Sequence, residues 1–293
     1  MRVVVTGASG TLGGFVLAGR PGHVAIVGWS GPSGVADAVL SPVDLEDTRS
    51  VEAAYHLARP TVVLHLGALS AVGDCFRDPA RARRVNVEAT AQLARLTRAD
   101  GARLIFASTD LVFDGTRPPY GEDAPPSPLS VYGHTKADAE AAVLDAGGTV
   151  VRLALLFGPG RGRKSFFDGM VDALREGRPL TLFDDEHRTP LDLASAASIL
   201  WALAAHPFRG VVHAGGPDRL SRLEMGQRLA AFLGVANPVL NAVSRTAFAG
   251  EPRPADVSLD SNRLTTLLPE LSRPGYARVL GLTFSDLGAP SSL

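Results

Sequence analysis

The chain opens Arg2-Val3-Val4-Val5-Thr6-Gly7-Ala8-Ser9-Gly10-Thr11-Leu12-Gly13, an apolar run that breaks directly into spaced glycines. Val3, Val4 and Val5 read as a buried strand, and Leu12, Phe15 and Val16 begin the apolar face of a helix. Gly7 permits a tight turn between them. Gly10 lets backbone N–H groups approach a pyrophosphate at the helix N-terminus, and Gly13 lets helix and strand pack closely. The spacing is G-x-x-G-x-x-G, not G-x-G-x-x-G, and the bland alternative is a glycine-rich connector in a chain with 31 glycines. The order strand, turn, helix decides against a connector, because a phosphate cradle requires that order. A nucleotide site is expected here, with Gly7, Ser9, Gly10, Thr11 and Leu12 as cofactor-binding residues.

Outward from this unit, strand and helix signals alternate. Residues 23–29 form a short apolar strand candidate, and 48–58 carries Val51, Ala54, Tyr55 and Ala58 at helical spacing. Residues 62–66 are continuously hydrophobic, as in a strand covered on both faces. The spacing of Val85, Ala89, Leu93 and Leu96 predicts a helix over 81–100. A strand over 104–108, a Pro-rich loop to residue 130, a helix over 132–144 and a strand over 149–157 follow. The alternation predicts an α/β fold, a doubly wound parallel Rossmann sheet with right-handed crossovers.

Beyond Gly158 the pattern loosens. Residues 166–175 and 194–204 look helical and 210–214 looks like a strand. Ser221 caps a helix that runs to Leu233 and ends at Gly234, with Glu224 completing a capping box. The expected organisation is a dinucleotide-binding domain over 1–157 and a smaller C-terminal α/β lobe over 158–293, mainly substrate-binding. The chain is free to cross back between them, and a cleft separates the two.

Composition narrows the function classes. A chain of 293 residues makes one large domain or two modest ones. A net charge of −1 leaves no electrostatic footprint for nucleic acid or a membrane surface. Cys75 is the single cysteine, which excludes an intramolecular disulfide and a cysteine-clustered metal site. No apolar stretch is long enough to span a bilayer, and the N-terminus enters a strand with no cationic and hydrophobic leader. The expectation is a cytoplasmic protein with neither nucleic-acid nor membrane partners.

The second informative stretch is Tyr132-Gly133-His134-Thr135-Lys136. Tyr and Lys four apart share one helix face. A lone tyrosine titrates near ~10, so a tyrosine acid that must lose its proton at neutral pH needs a cation beside it. A surface Tyr and Lys at a helix start is the alternative, and position downstream of a glycine turn outweighs it. Upstream, Phe106-Ala107-Ser108-Thr109-Asp110 ends a strand where open α/β sheets bind ligands. Thr109 is placed to donate to a substrate carbonyl beside Tyr132, although Ser108 and Thr109 also suit a plain strand terminator.

These residues together resemble an extended short-chain dehydrogenase/reductase. The glycine turn, Asp44-Leu45, Asn86, Thr109 and the Tyr132/Lys136 pair carry the resemblance. Ser108-Thr109-Asp110-Leu111-Val112-Phe113-Asp114-Gly115 and Pro252-Arg253-Pro254 make it similar to the dTDP-4-dehydrorhamnose reductase branch of sugar-nucleotide reductases. The resemblance implies that Thr109, Tyr132 and Lys136 are catalytic. Tyr132 would donate the proton, and Lys136 would tune it and hold the nicotinamide ribose. It places Asp44 and Leu45 at adenine, Gly67 and Ala68 on the adenosine side, and Asn86 as a helical asparagine supporting the lysine through water. Ser70, Asp110, Arg188 and Arg253 become candidates for sugar-nucleotide contacts; for Arg188 a solvated loop arginine is the competing reading. The implied reaction is hydride delivery from a reduced nicotinamide to a 4-keto carbon.

Departures from the family pattern sharpen the expectation. Related 4,6-dehydratases carry a Glu base where this chain has Leu111, which speaks against a dehydratase. The branch usually places an aromatic after its Arg-containing strand, where Arg152-Leu153-Ala154-Leu155 offers aliphatics. Phe15 or a neighbour stands where a metal-bridging Glu often lies, so no metal and no metal-bridged dimer are expected; a homodimer stays open. Val27-Gly28-Trp29-Ser30 has no carboxylate to repel a 2′-phosphate, while Ser9 and Ser30 offer hydroxyls. NADPH is the expected cofactor, with NADH open. Two alternatives remain: a dinucleotide-binding regulatory subunit like that of methionine adenosyltransferase, and a nucleotide-sugar epimerase. His65 reads as a satisfied core histidine, and the Asp184-Asp185-Glu186 cluster reads as a solvated turn.

Overall fold

The computed structural model describes residues 1–32, 39–161, 163–247 and 249–285. Strand β1 (Arg2–Thr6), helix α1 (Thr11–Ala18), β2 (Ala25–Ser30), β3 (Leu40–Pro42), α2 (Thr48–Ala58) and β4 (Val62–His65) form the opening half of the sheet. Helices α3 (Val72–Arg77) and α4 (Pro79–Arg83), a π-helical turn (Arg84–Glu88) and α5 (Ala89–Ala99) lead to β5 (Arg103–Thr109). There follow α6 (Val131–Asp145), β6 (Thr149–Leu153), β7 (Leu156–Phe157), α7 (Phe166–Arg175), β8 (Leu180–Phe183), β9 (His187–Arg188) and β10 (Leu191–Asp192). The last elements are α8 (Leu193–Ala205), β11 (Gly210–Ala214), β12 (Leu220–Ser221), α9 (Arg222–Phe232), β13 (Leu240–Val243), α10 (Asn262–Leu267) and α11 (Tyr276–Phe284).

Seven strands pair in the order β11-β6-β5-β4-β1-β2-β3, all parallel. This is the doubly wound order, with its switch point between β1 and β4. β4 and β6 are buried along their whole length, which explains their unbroken hydrophobicity. One face packs Val5, Leu64 and Ile105 against Val16 of α1 and Leu200 of α8. The other packs Val4, Val63 and Phe106 against Tyr55 of α2, Leu93 of α5 and Val143 of α6. Each such fully buried side chain contributes ~1.5–3 kcal/mol relative to exposure. A third core, with Phe157, Phe167, Met225 and Tyr276, lies under the smaller elements. Those elements form two-stranded pairs: β7 with β10, β9 with β12, and β8 with β13. Of residues 158–293, α8 and β11 return to the large sheet.

Two expected elements divide. The helix over 81–100 begins earlier, at Pro79, because Asp78 caps it by accepting from Arg81 N at 2.9 Å. Its ladder then widens through the π turn at Arg84–Glu88. The strand over 149–157 divides: Ala154 N makes a last bond to Ala214 O of β11, and Leu156–Phe157 then pair with β10 outside the large sheet. The Ser221/Glu224 capping box stands as read, and Gly234 takes a φ of 70° just past α9. Among the described residues no helix is long and apolar enough to cross a membrane.

Candidate active site

A cavity of about 900 Å³ opens at the C-terminal ends of β1, β2, β4 and β5, where the strand order reverses. At its floor Gly7 has a φ of 65°, and a Cβ there would stand 2.8 Å from the Gly67 backbone. A Cβ on Gly13 would fall 2.3 Å from Gly7 O. The two glycines therefore let three backbone segments converge, which a side chain at either position prevents. Ser9, Gly10, Thr11, Leu12, Ser30, Asp44, Leu45, Gly67, Ala68 and Ser70 all line the cavity. Ser30 Oγ, at the tip of β2, is buried with no hydrogen-bond partner among the described residues.

Beneath the cradle, His65 organises the exits of β1 and β4. Thr6 Oγ1 accepts from Leu66 N at 3.1 Å and Gly67 N at 2.9 Å, and lies 2.6 Å from His65 Nδ1. Thr90 Oγ1 donates to Asn86 O at 2.7 Å and lies 2.9 Å from His65 Nε2. One proton order satisfies every group: Thr6 donates to Nδ1, and Nε2–H donates to Thr90. The ring is thus neutral, and burial, helped by the nearby Lys136 charge, drives its pKa down to about 3. The histidine is a satisfied core residue, as its strand position implied.

Asn86 lies in the π turn, buried behind the cavity wall. Its Nδ2 donates to Leu69 O at 3.1 Å and Thr135 Oγ1 at 3.0 Å, while Oδ1 accepts from Leu69 N at 2.8 Å. Both amide hydrogens are engaged in tying the loop after β4 to α6. Ser130 caps α6 by accepting from Gly133 N at 3.1 Å, and Glu251 accepts from Val131 N at 2.5 Å. A Cβ on Gly133 would meet Leu111 O at 2.3 Å, so α6 presses directly against the turn that follows β5. That contact is what brings Tyr132 and Thr109 together.

Thr109, Tyr132 and Lys136 all line the cavity. Thr109 Oγ1 donates to Asp110 Oδ1 at 3.2 Å and accepts from Leu111 N, so it both terminates the strand and faces the cleft. Burial of the Tyr132 hydroxyl, then the Asp110 carboxylate, push its pKa above the ordinary tyrosine value, while the Thr109 hydrogen bond works the other way. Lys136 is 2% exposed, with its ammonium 3.9 Å from the Phe106 ring centroid. Burial lowers its pKa to about 7, against the pull of Glu140 and then Cys75. His134, between them in sequence, points to solvent. Leu153, Ala154 and Leu155 form an aliphatic wall where the family places an aromatic.

At the far end lies a buried ionic chain. Arg188 donates to Asp110 at 2.9 Å and to Glu186 at 2.8 Å, and Glu186 accepts from Arg253 at 2.7 Å. One expectation is corrected here: Glu186 is 1% exposed, not part of a solvated turn. Arg188, a candidate for sugar-nucleotide contact, is 4% exposed and lines the cavity, which removes the competing reading of a solvated loop arginine. The cause is tertiary: β9 pairs with β12 and bridges Asp256, which draws this segment inside. Asp184 alone of the acidic run stays exposed. Asp110 Oδ2 and Arg188 Nε are buried with no hydrogen-bond partner among the described residues. The cavity also receives Arg163, Lys164, Phe166 and Arg222, which sequence reasoning missed. For Arg222 a signal existed: it is a cation directly after a helix cap, where the helix dipole disfavours it.

A family model described as RmlD substrate binding domain matches residues 1–278. The chain is 31% identical over 289 residues to methionine adenosyltransferase 2 subunit beta of Pongo abelii, spanning 91% of this chain and 82% of the relative. It is also 31% identical over 275 residues to dTDP-4-keto-6-deoxy-D-glucose reductase of Streptomyces niveus, spanning 92% of each. A solved dTDP-4-dehydrorhamnose reductase from Bacillus anthracis, in complex with NADP, superposes with a TM-score of 0.85 at 22% identity. That alignment covers 97% of this chain and 99% of the other, and the likeness is one of fold.

Proposed function

This chain belongs to the family of the RmlD substrate binding domain, and from that premise we propose that it is an NADPH-dependent reductase of a 4-keto nucleotide sugar. The observation that carries the reading is the convergence of Thr109, Tyr132 and Lys136 on the cavity whose other end is the glycine cradle. Its support among relatives is the reductase of Streptomyces niveus, whose name specifies a dTDP-4-keto-6-deoxy sugar.

The residues present fit the dinucleotide. Gly7, Ser9, Gly10, Thr11 and Leu12 form a cradle whose turn a Cβ at Gly7 would drive against the Gly67 backbone. Asp44 and Leu45 would take the adenine, Gly67 and Ala68 the adenosine side, and Lys136 the nicotinamide ribose. The unpartnered Ser30 hydroxyl and the missing carboxylate at the end of β2 favour a 2′-phosphate. Bound, the cofactor supplies hydride. The chain then manages the proton. Tyr132, held protonated by its buried setting, donates to the substrate oxygen as negative charge develops there. Thr109 turns its hydroxyl from Asp110 toward the same oxygen. The Lys136 ammonium stabilises the phenolate that remains. Asp110 Oδ2, buried and with no partner among the described residues, is placed to accept from a sugar hydroxyl, and Ser70 lines the same cavity. The elements outside the large sheet within 158–293 would form the substrate side of the cleft.

The test is loss of reduced-nicotinamide absorbance with dTDP-4-keto-6-deoxy sugars, wild type beside Tyr132→Phe. The variant is expected to lose ~10²–10⁴-fold in kcat while keeping its affinity for NADPH. Similarity to the methionine adenosyltransferase subunit favours a second reading, a dinucleotide-binding regulatory module. Tight NADPH binding with no turnover of any keto sugar would replace the first reading with that one.

A further inference from the structure

Glu251 reaches helix α6 from 120 residues further along the chain: its Oε1 accepts at 2.5 Å from the backbone N–H of Val131, the residue before Tyr132. Ser130 already caps the helix, accepting from Gly133 N through its side chain and from His134 N through its carbonyl. Nor is Glu251 a group that the fold gains from burying. Its second oxygen, Oε2, is buried with no hydrogen-bond partner among the described residues. A carboxylate oxygen withdrawn from water without a donor destabilises the folded state. A residue that breaks this local rule beside a catalytic side chain is explained by the site it serves.

The loop that carries Glu251 is anchored on the smaller elements. Asp185, in the turn after β8, accepts from Ser244 Oγ at 2.6 Å and from Arg245 N at 2.7 Å. Arg245 Nη1 donates to Arg253 O at 3.1 Å, which ties the loop to itself. Arg253 donates to Glu186, and its guanidinium carbon lies 4.5 Å from the centroid of the Phe183 ring. Pro252 and Pro254 fix φ on either side of Arg253, and a residue before proline is restricted as well, which applies to Glu251 and Arg253. Residues 251–254 are thus a short, stiff strut. Arg253 lines the same cavity as Thr109 and Tyr132, and Glu251, two residues earlier, holds the backbone of α6.

Tyr132 lies between two constraints on the first turn of α6. Gly133 presses on Leu111 O from the side of β5, and Glu251 holds Val131 from the side of the smaller elements. We propose that Glu251 is a positioning residue for proton transfer: through Val131 it sets where Tyr132 stands against Thr109, and it links that placement to the loop that carries Arg253. The assignment rests on the reductase reading, in which Tyr132 is the proton donor.

Keto-sugar reduction and amide hydrogen exchange of the NADPH-saturated full chain, wild type beside Glu251→Ala and Glu251→Gln, test it. Glu251→Ala is expected to lower kcat about tenfold or more, with keto-sugar KM and NADPH affinity little changed. Glu251→Gln keeps an oxygen that accepts from Val131 N and is expected to retain most of kcat. Exchange over 131–135 is expected to quicken at least about tenfold in Glu251→Ala, with α5 protected as in wild type. Unchanged kcat in Glu251→Ala overturns the assignment and leaves the reductase reading standing. An equal loss in both variants overturns it, and so does a loss no larger than the fall in folded protein measured by denaturation. A wild type without turnover overturns the reductase reading, and exchange then decides the tie to α6. Quickened exchange confined to 131–135 supports that tie, and unchanged exchange overturns it.

Discussion

Lys136 holds its proton less firmly than any exposed lysine does. Burial brings its pKa to about 7, with Glu140 and Cys75 opposing the fall. The charged form is the one that stabilises the Tyr132 phenolate, and it is lost as pH rises through that value. We therefore expect kcat/KM to decline above about pH 7, measured as a pH–rate profile. Stability runs the other way. An unfolded lysine keeps its proton to ~10.4, whereas the folded one releases it near 7, so in that window the unfolded state binds more protons. The dinucleotide-free protein is expected to grow more stable between those values, and Lys136→Met to flatten the rise in thermal melts. At this scale the sequence was informative: the Tyr132/Lys136 spacing declared one face. The lowered pKa was not legible, because it depends on the Phe106 ring and the buried neighbours folded around the ammonium.

Helix α6 carries the site as an element. Its start, expected at residue 132 after the Pro-rich loop, lies at Val131, so it was legible to within a residue. How closely it approaches the turn after β5 was not. Gly133→Ala would place a methyl 2.3 Å from Leu111 O and 2.9 Å from Pro128 Cβ, so backbone must give way. The expected cost is ~1–3 kcal/mol in unfolding free energy. Because the shift parts Tyr132 from Thr109, kcat should fall more than that loss of folded population explains; denaturation and turnover on the same preparation check both. The segment over 81–100 shows the limit of periodicity. Its apolar spacing marks a helix, yet the π turn that brings Asn86 to Leu69 and Thr135 leaves no mark in a residue pattern.

Across the molecule, Asp110 after β5, Glu186 and Arg188 at β9, and Arg253 in a late loop join parts of the chain far apart in sequence. Glu186 is the shared carboxylate. Glu186→Gln removes one of the two carboxylates that Arg188 donates to and the carboxylate that accepts from Arg253, and breaking a buried pair from one side costs ~3–5 kcal/mol. Chemical denaturation should show that loss, and Glu186→Gln/Arg253→Gln should recover part of it, since the second change removes one of the positive charges that Glu186 balances.

What the sequence determined by itself was local in origin: the strand–turn–helix cradle, the alternation that demands a parallel sheet, the Tyr–Lys face and the capping box of α9. Each depends on residues within a few positions of one another, where φ/ψ preference and side-chain period act directly. What tertiary structure decided was the pairing of distant charges. Asp184, Asp185 and Glu186 are equal in sequence, yet one is exposed and one buried. A buried carboxylate is stable only where a cation reaches it, and Arg188 and Arg253 reach Glu186 only once β9, β12 and the late loop have packed together.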